Sequence, residues 1–419
     1  MACRIQTIIC CNGLILLAVT MWCVDLHAST TRYSQLESDA LWLLKSPMQS
    51  QFKEGQRYKV KAFFNLGILH DEAESGSEFE IKNARLPILF KWSDQGLAKL
   101  NIGLEPLTNR FGPSYTDNAL TEKNITRHSD TNLFDAWIQH DFSPVVRLRV
   151  GQDFIPYGLD SYTPVSLLSW INPSDWVRQA TARSKLNRDI GIQLYGQWRA
   201  FNYGVAWLQG AGISRRQTGS GPAQFRLASD NNDHKDLAAR VTWASPLPGM
   251  TLGASLYRGK QGDDDPASYL SEGGITDEEH SGFHAEYHTP HWSASLEYNY
   301  STIDKMIVPR PDGVLIRSGS GRLKDTTVSM RYRWSEWLEP KIRVERFDSR
   351  SKMAVMGDPN RIAGFAPPHN TYIFGVNFNL KANSGSKSTV MLEYIRIDET
   401  HVASEVDNDR VELYWKLSI

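Results

Sequence analysis

From Lys59 to the C-terminus, apolar and polar residues alternate with a period of two in one segment after another. Val60, Ala62, Phe64, Leu66 and Ile68 alternate with Lys59, Lys61 and Asn65. Tyr372, Phe374, Val376, Phe378 and Leu380 flank Gly375, Asn377 and Asn379, and Val411, Leu413, Trp415, Leu417 and Ile419 close the chain. A β-strand sends successive side chains to opposite faces, so each segment is a strand with one apolar and one polar face. Sixteen such segments occur, and the connections between them alternate long and short. The short ones are turn-like, such as Ser93 to Gly96, Ser143 to Val145, Arg199-Ala200 and Thr289-Pro290; the long ones include 106–132, 154–187 and 259–280. Lipid offers backbone groups no hydrogen-bond partner, so strands cross a membrane only as a closed barrel. In bacterial outer-membrane barrels the strand count is even, the periplasmic turns are short and the external loops long. The pattern therefore predicts an all-β fold, a sixteen-stranded antiparallel transmembrane β-barrel over 59–419.

The tryptophans agree. Trp92, Trp198, Trp243, Trp292, Trp334 and Trp337 stand at or beside short turns, with Phe142 and Phe201 in matching places. Amphipathic rings favour the membrane–water boundary, which makes this rim the periplasmic girdle. Val241 falls on a lipid-facing side and Thr242 on the lumen side. Arg is therefore expected to harm the first position and be tolerated at the second.

Ahead of the barrel, Arg4 precedes an apolar run from Ile8 to Val24, and Ala28 offers a small residue for cleavage. These are the parts of a secretory signal peptide over 1–28. The run is short for a retained membrane helix, which needs about 20 apolar residues. All four cysteines, Cys3, Cys10, Cys11 and Cys23, fall inside it, so the exported chain is expected to carry no thiol. Residues 29–58 read as a short periplasmic segment, partly helical. Ser34 and Glu37 have capping-box spacing ahead of Leu36, Ala40, Leu43 and Leu44.

Barrel chemistry is confined to the lumen and the loops. Setting each apolar face against lipid turns Lys59, Lys61, Lys99, Arg147, Arg149, Arg240, Arg331, Arg333, Arg343, Lys381 and Lys416 inward in the periplasmic half, with Arg410 nearer the outside. The inward acids are Asp135, Asp153, Asp189, Glu286, Glu297, Glu345, Glu393 and Glu412. Confined charge of one sign concentrates the opposite ion, so the basic set predicts a pore that attracts anions. The alternative is an ordinary charged lumen, paired within itself. The third long loop carries Arg178, Arg183 and Lys185, with Arg188 at its edge. Its Trp170, Ile171, Pro173 and Trp176 supply apolar surface to pack inside the barrel as a constriction. The alternatives are a lid over the mouth and a contact with a neighbouring subunit.

His284, Glu286 and His288 share a strand face. Two histidines about 7 Å apart are widely spaced for one ion, and ordinary lumen polarity is the stronger reading. Asp263, Asp264 and Asp265 read as a solvated acidic loop. No metal, cofactor or nucleic-acid partner is expected. No Gly-x-Ser-x-Gly, His-Glu-x-x-His or Gly-rich phosphate loop occurs, so an enzyme is not expected either. The predicted function is passive diffusion of small polar or anionic solutes, with outer-membrane lipid and lipopolysaccharide as surroundings. The rivals are a ligand-specific uptake barrel, for a siderophore for instance, that works without a plug, and a hydrolase whose site is assembled from loops.

Particular stretches carry a family resemblance. FEIKNARLPILFKW (Phe79 to Trp92), LFDAWIQHDF (Leu133 to Phe142), VRLRVGQDFIPYGLD (Val146 to Asp160), LNRDIGIQLYG (Leu186 to Gly196) and NYGVAWLQG (Asn202 to Gly210) resemble the phosphate-selective porins of the O and P type. The Gly151 to Gly158 element is the most specific piece. NTYIFGVNFNL (Asn370 to Leu380) and STVMLEYIRI (Ser388 to Ile397) are similar to the family's closing strands. The resemblance implies a sixteen-stranded channel, a trimer, and a third external loop folded inward. The chain departs from outer-membrane barrels in ending on Ile419 rather than an aromatic residue.

Overall fold

In a computed structural model of the chain, the described residues are 52, 55–71, 76–106, 129–177, 188–210, 215–216, 224–225, 234–261, 276–303, 307–309, 315–317, 321–351, 368–380, 386–399 and 409–419. They form a closed barrel of sixteen antiparallel strands. The first strand, β1, comes in two pieces, Tyr58–Val60 and Phe63–Asp71. There follow β2 (Gly76–Lys91), β3 (Gly96–Pro106), β4 (Ser129–Asp141), β5 (Arg147–Phe154), β6 (Arg188–Trp198), β7 (Phe201–Leu208) and β8 (Asp236–Ala244). The second half is β9 (Met250–Gln261), β10 (Thr276–His288), β11 (Trp292–Ile303), β12 (Gly321–Tyr332), β13 (Leu338–Ser351), β14 (His369–Leu380), β15 (Lys387–Glu399) and β16 (Arg410–Ser418). Each strand pairs with the next, and β1 pairs with β16 from Phe63 opposite Ser418 to Asp71 opposite Arg410. Closure leaves no unpaired edge, as lipid requires. The terminal Ile419 seals the seam through its main chain, donating to the Ala62 carbonyl at 2.9 Å and accepting from its N–H at 3.0 Å.

The strands outrun the alternation at their external ends. The apolar pattern begins near 133 and 281 in β4 and β10 and stops near 347 and 397 in β13 and β15, whereas pairing reaches Ser129, Thr276, Ser351 and Glu399. The larger differences lie where outward side chains become polar. Arg258 and Glu279, for instance, form an exposed ion pair at 3.2 Å. Above the lipid the backbone ladder continues, but nothing selects an apolar outward face. At the opposite rim the aromatic rings run from hairpin to hairpin. Trp198 stacks on Phe201 at 6.3 Å, Phe201 on Trp243 at 6.4 Å, and Tyr332 meets both Trp292 at 4.4 Å and Trp334 at 6.1 Å. Trp92, Trp337 and Phe142 are exposed at that same rim.

Two bulges add inward side chains that a strict period of two does not anticipate. Lys82 is the extra residue of β2 opposite the Asn65/Leu66 step, and Phe134 that of β4 opposite Asn101/Ile102. A bulge inserts one residue and re-aims the side chains beyond it, which is how Lys82, Asn83 and Arg85 all come to the lumen side. Val241 faces outward as expected, but Thr242 is only 1 % exposed and lies against Asn202. It faces a packed interior and has no room for Arg, which corrects that expectation. Inside the turn-bearing rim, Phe52 packs on Leu89, Leu97 and Trp137. The leader, the helix expected near Ser34 to Leu44, Lys381 and Asp263 to Asp265 lie outside the described residues.

Candidate functional site

Two glycines set the course of the chain into the lumen. Gly151, at φ +126, lies so close to β4 that a Cβ would come within 2.2 Å of the Ala136 carbonyl oxygen. Gly158, at φ +67, donates its N–H to Ser255 Oγ at 3.0 Å. Positive φ is readily adopted only by glycine. Between them the chain leaves β5 and crosses to the far wall. There the Leu159 and Asp160 N–H groups bind the Glu297 carboxylate at 2.8 and 3.2 Å, and the Tyr157 hydroxyl donates to Asn299 at 3.2 Å. Burial, with Glu297 and Asp325 nearby, pushes the Tyr157 phenol well above its ordinary value, so it stays a neutral donor.

The loop then follows the wall formed by β13 to β16. Wall carboxylates accept from it: Asp175 N–H to Glu345 at 2.5 Å, Ile171 N–H to Glu393 at 2.9 Å, and the Asn172 amide to Glu412 at 2.7 Å. Wall cations donate to its carbonyls. Lys341 reaches Ser169 at 2.8 Å, Arg343 Asn172 at 3.0 Å, and Lys416 Leu168, while from β8 Arg240 reaches Gly158 at 2.8 Å. The Asp175 carboxylate in turn accepts from Thr371 at 2.7 Å and meets His369 at 3.1 Å. Apolar contacts complete the seat. Ile155, Tyr157, Trp176 and Val177 join Leu208, Tyr257, Leu323 and Phe347 in one cluster, Trp170 sits on Ile373 and Ile395, and Ile171 on Met391 and Tyr414. These inward apolar residues break the polar-inside rule of barrels because a loop covers them. Over 155–177 the third external loop therefore lies within the barrel. Arg178, Arg183 and Lys185 lie outside the described residues.

The wall from β2 to β6 is different. Asp135 accepts from Lys99 at 2.7 Å, Arg188 at 2.8 Å and Asn101 at 2.8 Å. Arg149 pairs with Asp153 and donates to Gln139 at 2.8 Å and Tyr195 at 2.9 Å; Arg147 lies 3.9 Å from Asp141. The guanidinium groups are also stacked on rings: Arg85 over Phe134 at 4.0 Å, Arg188 over Phe154 at 3.9 Å, and Arg149 over Trp137 at 3.9 Å. Stacking and ion pairing hold planar cations in fixed orientation along this side of the lumen. Five cations (Arg85, Lys99, Arg147, Arg149 and Arg188) stand here with Asp135, Asp141, Asp153 and Asp189, and Asp189 accepts from the Ile190 and Gly210 N–H groups.

The expected basic set is thus divided. Lys99, Arg147, Arg149 and Arg188 share the stacked wall, whereas Arg240, Arg343 and Lys416 hold the loop. Arg331 bonds Ser293 at 2.8 Å and Glu339 at 3.3 Å. Lys59 and Lys61 are half-buried near the turn-bearing rim, and Arg333 lies just past the end of β12. Sequence reasoning missed Lys82 and Arg85, displaced by the bulge, and Lys341, which the parity of Arg343 and Glu345 implies. His284 lies 3.2 Å from Arg240, and His288 pairs with Glu286 at 3.3 Å. His280 falls on the same buried face, beside Glu278 at 2.5 Å. Among the described residues no three His, Cys, Asp or Glu side chains converge in ligating geometry.

No curated protein matches the chain by sequence. Solved structures match its fold. OmpF of Salmonella typhi, in complex with daunomycin, aligns with TM-score 0.57 at 11 % identity over 88 % of this chain and 99 % of that one. An anion-selective porin from Comamonas acidovorans aligns with TM-score 0.51 at 12 % identity over 86 % and 98 %. In-vitro folded OmpT of Vibrio cholerae, in a trimer form, aligns with TM-score 0.54 at 9 % identity over 86 % and 99 %. At this identity the likeness is one of fold. The model of the family described as phosphate-selective porin O and P matches residues 59–313, from the first strand to beyond β11. With a closed barrel, a girdled rim and an infolded third loop, the molecule is a passive channel of the bacterial outer membrane. The chain belongs to the phosphate-selective porin O and P family.

Proposed function

We propose that this channel prefers small anionic solutes, and that the stacked cation wall from Arg85 to Arg188 is what they meet. The observation that carries the proposal is the fixing of Arg85, Arg149 and Arg188 against Phe134, Trp137 and Phe154, which orients guanidinium groups on a wall where the five cations outnumber Asp135, Asp141, Asp153 and Asp189 by one. The residues that hold the loop are occupied with its backbone, and their contribution to ion selection is small. The anion selectivity of the Comamonas acidovorans porin is compatible with such a role on this fold. In a planar bilayer under a salt gradient, the reversal potential should have anion-selective sign at low salt. It should shrink as the Debye length falls from about 10 Å at 0.1 M toward about 3 Å at 1 M. Arg147→Glu with Arg149→Glu should move it toward cation selectivity. A cation-selective wild-type pore at low salt defeats the proposal.

We further propose that residues 1–28 are removed on export, that 29–58 remain in the periplasm, and that the barrel works as a homotrimer without hydrolytic activity. N-terminal sequencing that finds Cys23 retained contradicts the first of these. Mass measurement of the detergent-extracted complex tests the trimer. Incubation with phospholipid and peptide substrates tests the absence of hydrolysis.

A further inference from the structure

At the external end of β12 and β13 the outer surface of the barrel carries a group of cations. Arg322, Lys324 and Arg346 are exposed on the outer face, opposite in parity to the buried Leu323, Asp325 and Phe347. The strand registers fix their height. Tyr298, Thr326 and Arg346 form one level; Tyr300, Lys324 and Asp348 the next; Thr302, Arg322 and Arg350 the one above. Tyrosines at the first two levels mark the headgroup boundary of the outer leaflet, and Lys324 stands 5.9 Å from the Tyr300 ring centroid. The three cations are therefore neither deep in hydrocarbon nor in open solvent. They lie at the depth where lipid phosphates are found.

Other outward cations near this end carry their own neutralisation. Arg258 pairs with Glu279 at 3.2 Å and Arg396 with Asp398 at 2.7 Å. No carboxylate pairs with Arg322, Lys324 or Arg346 among the described residues. Asp348, opposite Lys324 in register, is the single described acid on this face of the two strands at that height. Neighbours two apart on one strand face, or diagonal across a pair, stand about 7–8 Å apart. Lys324 stands at that spacing from both Arg322 and Arg346, which are two levels apart, so the three cations spread over the separated phosphates of one bisphosphorylated headgroup.

We propose that Arg322, Lys324 and Arg346 form a docking site on the barrel exterior for the phosphorylated headgroup of outer-leaflet lipopolysaccharide. The long side chains extend along the apolar wall and place their charged ends at the headgroup, where each makes a charge-assisted hydrogen bond to phosphate. Tyr298 and Tyr300 flank the sugar level. The site lies outside the pore and does not depend on its selectivity.

The test uses the full detergent-purified protein and the triple variant Arg322→Gln, Lys324→Gln, Arg346→Gln. Purified lipopolysaccharide and its enzymatically dephosphorylated form are the probes, and bound lipid is read by native mass spectrometry. Wild type should bind the phosphorylated form at least about tenfold more tightly than the variant does, and the difference should narrow with salt. The dephosphorylated form should not distinguish the two proteins. Single-channel conductance and reversal potential should be the same in both, which shows that the barrel is folded and keeps this result separate from the anion preference of the pore. Equal binding of phosphorylated lipopolysaccharide by both proteins overturns the proposal. So does a variant whose only change is loss of the oligomer, which assigns the patch to a second copy of the chain.

Discussion

The two inner walls of this barrel use the same residue types for different ends. On β13 to β16, Glu345, Glu393, Lys341, Arg343 and Lys416 bind main-chain donors and acceptors of the infolded loop. On β2 to β6, Arg85, Arg149 and Arg188 lie flat on aromatic rings, with ion-pair partners on the wall itself. The first wall acts as a scaffold for the loop, and the second is bonded and stacked within itself. A charge in a lumen therefore says little about permeation until its partner is known. A carboxylate bonded to a loop N–H fixes the loop, whereas a guanidinium stacked on a ring is held by the wall itself.

The scaffold side is expected to break hardest at its apolar seat. Trp176 is fully buried between the loop's two legs and the wall, and Trp176→Ala should cost about 3–5 kcal/mol. In thermal unfolding this appears as a lower midpoint, and in single-channel records as larger, noisier conductance. An unchanged trace would mean that the loop is not held by its apolar legs. Next comes the Lys341–Glu393 pair, 2.5 Å apart with both side chains fully buried. Glu393→Leu strands the ammonium and should cost about 3 kcal/mol, whereas adding Lys341→Met should recover most of that loss. A double variant as weak as the single one would show that the Ile171 hydrogen bond, not the pair, is what matters.

On the lipid side, Val241→Arg should cost on the order of 2–4 kcal/mol near mid-membrane, read by folding titrations into vesicles. Thr242→Arg, benign on strand parity alone, should be harmful as well, because its side chain meets a packed interior. The smallest effect sharpens the contrast most. The Glu393→Leu, Lys341→Met double variant should leave the reversal potential unchanged, because those charges face the loop. A shift as large as that from the Arg147 and Arg149 changes would erase the distinction between the walls.

Much of the fold was legible in residues alone. Alternation at Phe64 to Ile68 or Tyr372 to Leu380 reports directly on lipid, since one face of a strand must be apolar and the other need not be. The turn-side tryptophans were legible for the same reason, and the two stacks on Phe201 bear them out. Less of the site was legible. Lys99, Arg147, Arg149 and Arg343 were correctly turned inward, but parity carries no information about which wall or partner a side chain meets. The bulge at Lys82 hid Arg85, because a single inserted residue reverses the parity that the reading depends on.

By itself, then, the sequence determined strand number, orientation and the two faces of each strand. These come from short-range periodicity against a solvent that is the same at every lipid-facing position. Only the tertiary structure decided that the third loop crosses the lumen and that inward Leu323, Phe347 and Ile373 are covered rather than wet. It also decided that Arg343 holds a loop while Arg149 faces a ring. Those outcomes depend on contacts between residues far apart in the chain, such as Asn172 with Glu412, and no local pattern encodes which distant partner a charged side chain will find.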